Sequence, residues 1–265
     1  MATKAENDIW VKRVDNGYEY IVRYVDDLGI ASKNLEKIIG ELESIYKLKL
    51  KGSGPIKYHL GCDFQRDKSG VLCMTPRTYV QKIIGNYFRL FGEQPKNNVW
   101  SPLTKGDHPE LDTTEELDMD GIKVYQSLLG ALQWAISIGR LDIATAVMTL
   151  SKFRVAPRQG HLDRVKRIFS YLARFKEGTI KFSTDAPDLS SLETYDYDWA
   201  KTVYGNVKED VPEDAPEPLG KCIHLTSYVD ANLMHDLITG RSVTGILHFL
   251  NKTPIEWYTK KQPSV

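Results

Sequence analysis

The chain has 265 residues, enough for one large or two smaller domains, and its 42% apolar and 26% charged residues are those of an ordinary soluble globular protein. No apolar run approaches the length needed to span a bilayer, and the polar N-terminus around Lys4, Glu6 and Asp8 has no secretory core, so no membrane partner is expected and the chain is predicted to be intracellular. The 35 basic and 35 acidic side chains cancel, so a nucleic-acid partner must be sought in the distribution of charge rather than its total.

In chain order, the first informative feature is Tyr24-Val25-Asp26-Asp27, set between apolar runs at 18–22 and 28–31. Such runs read as strands, so residues 18–25 are predicted to pair with 28–32 and the two aspartates to fall at the turn of a tight hairpin. Neighbouring carboxylates repel, and a divalent cation is the usual way to hold them together. The tetrapeptide alone fits an exposed acidic turn equally well.

Residues 34–49 carry Leu35, Ile38, Ile39, Leu42 and Ile45 at helical spacing, with Ser32 or Asn34 as cap, and Gly52-Ser53-Gly54-Pro55 ends that helix. A second hairpin is predicted from 56–64 and 71–74 around the turn at 67–70. Thr75-Pro76 opens another helix, Thr as cap and Pro at the first position. The polar stretch 92–121, with Pro95, Pro102 and Pro109, reads as a long connection. Three helical segments follow at 125–138, 141–153 and 160–175, the first apolar nearly all round and therefore expected to be buried.

Charge then separates. Residues 152–181 are rich in Lys and Arg, including Arg164, Lys166 and Arg167, and 185–217 are rich in Asp and Glu, ending in the proline-bearing 212–218 that reads as a linker. Beyond it, 223–229, 242–250 and 255–258 read as strands of an antiparallel sheet, with Asp230 at the end of the first. Cys62, Cys73 and Cys222 show no metal-site spacing and read as reduced.

Several of these blocks, in order, resemble the polymerase polyprotein of copia-type retrotransposons. They are Tyr24-Val-Asp-Asp27 with Ile30-Ala-Ser32, Ile56-Lys-Tyr-His-Leu-Gly61, Met74-Thr-Pro-Arg-Thr-Tyr79, and Tyr125-Gln-Ser-Leu-Leu-Gly130 with Gly139-Arg-Leu-Asp-Ile-Ala144. Pro157 to His161 and Val165 to Leu172 follow, then Tyr228-Val-Asp-Ala231, Gly240-Arg-Ser-Val-Thr-Gly245 and Trp257-Tyr-Thr-Lys-Lys-Gln262. The resemblance implies a reverse transcriptase followed by ribonuclease H. On it, Asp26 and Asp27 are the palm aspartates, catalytic and magnesium-holding. Tyr24 lies beside the primer end, and Leu60-Gly61 sit in a hairpin similar to the primer grip. Asp230 resembles the first catalytic and metal-holding carboxylate of ribonuclease H, with Asp236 a weaker neighbour. Asn232 and Leu233 depart from the family pattern, and Asp196 and Asp198 read as surface residues. The helices resemble a thumb and connection that grip an RNA–DNA hybrid or duplex template–primer, with Arg164, Lys166 and Arg167 as phosphate contacts; a solvated helix face explains these cations as well.

The expected fold is α+β: a palm remnant at 1–93, a helical thumb–connection region at 94–182, an acidic linker at 183–221 and the first part of a ribonuclease H-like sheet at 222–265. The family's fingers, a further palm aspartate and the later ribonuclease H carboxylates have no counterpart in these residues. The chain is therefore expected to be a fragment that carries the family's sites, binds magnesium weakly or not at all, and has little activity alone. An enzyme completed by another chain and a non-catalytic nucleic-acid-binding module are the other readings.

Overall fold

The computed structural model describes residues 2–263 except Lys4, Ala5, Asn16, Thr194, Asp196, Tyr197, Tyr204, 206–212, Asp214 and Pro216. The reading of Asp196 as a surface residue, and Pro212, Asp214 and Pro216 of the predicted linker at 212–218, lie outside the described residues. Five α-helices and three antiparallel sheets make an α+β chain. It divides into two compact units, one of Met1–Pro55 with Asp188–Cys222, the other of Ile56–Pro187 with Ile223–Val265.

In the first unit, β1 (Ile9–Val14), β2 (Gly17–Tyr24) and β3 (Asp27–Ala31) form a meander in that order. Helix α1 (Leu35–Tyr46) follows and buries only Ile38. It stops three residues before the predicted end, because Lys47 turns left-handed at φ 51°. Asn34 holds the cap position without a side-chain cap bond; Ser32 Oγ instead accepts from the Asn34 N–H at 2.8 Å and donates to Glu19 at 2.6 Å. The acidic stretch contributes Glu217, which pairs with Arg13 at 2.8 Å and accepts from the Tyr18 hydroxyl at 2.6 Å.

The second unit opens with β4 (Tyr58–His59), β5 (Cys62–Arg66) and β6 (Leu72–Thr75). The single strand predicted over 56–64 is in fact two, broken by a tight turn at Leu60 and Gly61, whose φ angles are 50° and 90°. Helix α2 (Arg77–Phe91) follows. Its first turn is not capped by Thr75, which ends β6; Asp63 of β5 accepts from the Thr78 N–H and hydroxyl, both at 2.8 Å. Helices α3 (Met119–Ser137), α4 (Ala144–Ser151) and α5 (Gln159–Arg174) complete the helical layer. Asp118 caps α3 by accepting from the Gly121 N–H at 2.8 Å, so the helix begins at Met119, ahead of the predicted start at 125.

The core lies among α2, α3, α4 and α5, where Val80, Tyr125, Leu129, Leu132, Leu150 and Phe169 are fully buried. Each such side chain contributes about 1.5–3 kcal/mol by leaving water. Helix α3 is not buried all round as its composition suggests: Gln126, Gln133 and Trp134 stay exposed on its outer side. A two-residue strand, β7 (Ile180–Lys181), has no signal in the sequence pattern and pairs with β6. The strands β8 (Leu225–Asn232), β9 (Val243–Leu250) and β10 (Thr253–Lys261) form a sheet in the order β10-β9-β8. Trp257 of β10 donates its indole N–H to the Ile136 carbonyl of α3 at 2.9 Å, which fastens the sheet to the helices. Among the described residues no helix is long and apolar enough to cross a membrane.

Candidate functional site

Strands β2 and β3 meet through Val25 and Asp26, with Tyr24 opposite Asp27 as the last pair of the ladder. Val25 has φ 52°. A branched side chain at a left-handed turn position is costly, and hairpins usually place Gly or Asn there. Backbone strain of this kind marks a position that the surroundings over-determine. The turn leaves Asp26 and Asp27 exposed, and the cross-strand pairing puts Asp27 on the same face as the half-exposed ring of Tyr24. The predicted hairpin is thus present. A magnesium centre needs more donors than this turn supplies, because among the described residues no group of three His, Cys, Asp or Glu could hold a metal ion. Two neighbouring carboxylates alone do not fit a two-metal site.

Leu60 and Gly61 belong to the second unit. A β-carbon on Gly61 would stand 3.4 Å from Ile138 Cδ1 and 3.5 Å from Trp134 Nε1, so the turn is docked on the end of α3. Cys62 donates its thiol to the Ile138 carbonyl at 3.5 Å, and burial pushes that thiol up to about 11.

Asp230 is exposed but does not end its strand. It lies within β8, paired with Gly245, and the strand continues to Asn232. Asp236 is not its metal-sharing neighbour. It is buried and holds Lys261 at 2.6 Å, Lys152 at 3.3 Å and the Thr239 N–H at 2.9 Å. Burial would raise its carboxyl, but the Lys261 bond and the Thr239 bonds overrule it and hold it well below the usual carboxylate range.

The three cations predicted on α5 have three different fates. Arg164 is consumed inside the protein. Its Nε and Nη2 grip Asp107 at 2.8 Å each, and Nη1 reaches Asp112 at 2.5 Å and the Gly160 carbonyl at 3.0 Å. Burial opposes the charge on Asp112, yet bonds from Thr114 and Arg164 bring its carboxyl down to about 2. A β-carbon on Gly160 would lie 2.0 Å from Asp112 Oδ2, so only glycine lets the first turn of α5 close on this carboxylate. Arg164 thus forms an internal clamp between α5 and the segment that carries Asp107 and Asp112. Lys166 sits over the Phe91 ring at 4.2 Å. Arg167 makes one long bond, 3.3 Å, to Ser101 Oγ, and its buried Nε has no acceptor among the described residues.

A cavity of about 560 Å³ lies between α5 and the segment 93–100, lined by Lys96, Trp100, Lys166 and Arg167. Reading 92–121 as mere connection misses Lys96 and Trp100. The available signal is an indole in a polar run flanked by Lys96 and Lys105.

Comparison with known proteins finds similar sequences among products of transposons. Over nearly its whole length it is homologous to retrotransposon Pol polyproteins. It is 25% identical, over 99% of its length, to a transposon Ty5-1 protein of Saccharomyces cerevisiae, and covers 72% of that protein. It is 24% identical, over all of its length, to the retrovirus-related Pol polyprotein from transposon TNT 1-94 of Nicotiana tabacum, and 24% identical, over 98%, to that from transposon RE1 of Arabidopsis thaliana. The chain spans only 18% and 15% of these two plant polyproteins. No protein-family model and no solved structure matches the chain.

Proposed function

We propose that this chain is the portion of a retrotransposon Pol polyprotein that runs from the reverse-transcriptase palm through the thumb to the start of ribonuclease H. It holds nucleic acid and does not extend a primer on its own. The observation that carries the reading is the strained, exposed Asp26-Asp27 turn in a chain homologous over nearly its whole length to Pol polyproteins. The donor set supports the second half of the proposal. Asp26 and Asp27 lack a third metal-ligating group among the described residues, and Asp236 is spent on Lys152 and Lys261 rather than supporting Asp230. In-line phosphoryl transfer needs two metals fixed at once, and two adjacent carboxylates are too few donors to fix them.

The test is primer extension by the purified chain on an RNA template with magnesium or manganese, together with binding of the same RNA–DNA hybrid across a salt series. No extension and salt-sensitive binding are expected. Extension abolished by Asp26→Asn would overturn the inactive half of the proposal. Absence of hybrid binding at low salt would overturn the other half.

A further inference from the structure

The cavity beside Trp100 continues into a second hollow of about 560 Å³ along the same helix, bordered by Lys105, Gly106, Gly160 and Arg167; Asp163 and Arg167 line both. The two make one groove between α5 and the segment 93–106, about 15 Å long at the helical rise from Gly160 to Ser170. Once the Arg164–Asp107 pair is set aside, its charges are Lys96, Lys105, Lys166 and Arg167 against Glu93 and Asp163. The groove is therefore electropositive in a chain of zero net charge.

Two further features give it chemical character. Trp100 is 72% exposed, an unusual state for so large an aromatic side chain. It is nonetheless fixed: the Arg174 guanidinium lies 3.5 Å from its ring centroid, and Arg174 Nη1 donates to the Asn97 carbonyl at 3.0 Å. An indole held by a cation on one side and open to solvent over most of its surface is a ready stacking platform. Arg167 meanwhile keeps guanidinium donors beyond its single long bond to Ser101. An aromatic platform beside a line of cations is how sequence-tolerant proteins hold an unpaired strand, stacking a base and tracking its phosphates. The groove has the volume of a small-molecule site, a size that suits unstacked nucleotides rather than a duplex.

We infer that the groove between α5 and segment 93–106 binds single-stranded nucleic acid, with a base stacked on Trp100 and phosphates on Arg167, Lys96 and Lys105. The inference rests on the nucleic-acid reading above but assigns a different surface and a different form of ligand.

The experiment uses the full chain and fluorescein-labelled dT20, read by anisotropy from 50 to 200 mM salt, beside the RNA–DNA hybrid used above. Trp100→Ala is expected to weaken dT20 roughly 5- to 150-fold, the range of one lost stacked base, with the salt slope kept. Lys96→Ala with Arg167→Ala is expected to lower the slope by about 1.4 units, roughly 0.7 for each phosphate contact on a single strand. Trp100→Phe, which keeps a ring and guards against misfolding of the alanine variant, should retain most affinity while losing the fluorescence quenching that dT20 causes in the unaltered chain. Hybrid binding should change less than twofold in Trp100→Ala. The inference is overturned if dT20 binds the unaltered chain and Trp100→Ala alike, if quenching survives in Trp100→Phe, or if the hybrid is weakened as much as dT20. Loss of hybrid binding with dT20 binding intact would count against the proposed function and leave the groove standing.

Discussion

In the helical layer of the second unit, Tyr125, Leu129, Val165 and Phe169 are wholly removed from water, whereas in β8 every residue except Thr226 is exposed. The acidic hairpin of the first unit behaves like β8: Tyr20, Val22 and Tyr24 on one face of β2 are each more than 40% exposed. Stability in this chain is concentrated in helices that carry cations, and the candidate catalytic acids sit on strands that bury little. The acids are therefore separable from the folding of the chain. Contiguous exposed apolar strands are also surfaces that proteins cover when they work.

The largest effect is expected in the core. Leu129→Ala should cost about 2–5 kcal/mol in urea unfolding, because it leaves a cavity among close-packed helices. Val229→Ala on exposed β8 should stay within about 0.5 kcal/mol. Equal losses would show that the sheet is as much a part of the folding core as the helices.

The next largest effect contrasts two arginines on one helix. Arg164→Ala strands the half-buried Asp107 and the buried Asp112 and should cost about 1.5–3 kcal/mol, the range for hydrogen bonds to charged groups. Arg164→Lys should recover only part of this, since an ammonium cannot reproduce the fork on Asp107. Arg167→Ala should leave stability unchanged within about 0.5 kcal/mol. A large loss from Arg167→Ala would make it a structural clamp instead of a groove cation.

Acid should act on the same corner. His161 accepts the Arg158 N–H at Nδ1 and contacts the Pro109 carbonyl through Nε2 at 2.9 Å, so the folded state needs the neutral ring with its proton on Nε2. Burial lowers its pKa. The unfolded chain therefore takes up a proton first, and stability is complete above the ordinary histidine value of about 6.5 and declines below it, by at most ~1.4 kcal/mol per pH unit. Asp112, held at about 2, adds stability that is complete above its ordinary value of about 3.9 and is lost as pH falls towards 2. Urea midpoints at pH 7, 5 and 3 should show two stages of loss, the first reduced in His161→Gln. A flat profile between pH 7 and 5 would contradict the neutral, buried ring.

The smallest effect belongs to the acidic turn: Asp26→Asn should shift stability by less than about 0.5 kcal/mol, because the residue is exposed at a hairpin tip. A larger shift in the thermal midpoint would mean that the carboxylate supports the strained turn.

Much of this is legible in the sequence where the determining contacts are close along the chain. The acidic hairpin follows from apolar runs on either side of it, and α2 and α5 from their periodicity. What escapes depends on residues far apart. Arg164 meets partners 57 and 52 residues earlier, so its internal ion pairs are invisible in the local basic pattern. Asp236 looks like a second acid near Asp230, yet its lysines come from α4's end and from β10. The start of α3 is hidden because Asp118 caps through a side chain and the first turn lacks an apolar stripe. Trp100 is easily passed over because polar surroundings suggest a loop, and only the packing of Arg174 reveals a fixed ring.

The short strand β7 gives the chain a timetable. Lys181 reaches back 114 residues to Asp67, and Ile180 closes the free side of Met74 in β6. On a ribosome adding residues at 5–20 per second, β6 waits roughly 5–20 s for that partner. During that interval α2, α3, α4 and α5 emerge in turn and can condense through nearby contacts, which form fastest. The sheet of β4 to β7 is therefore sealed only after the helices have emerged, and a translation pause before residue 180 would leave the side of β6 that β7 occupies open to other chains.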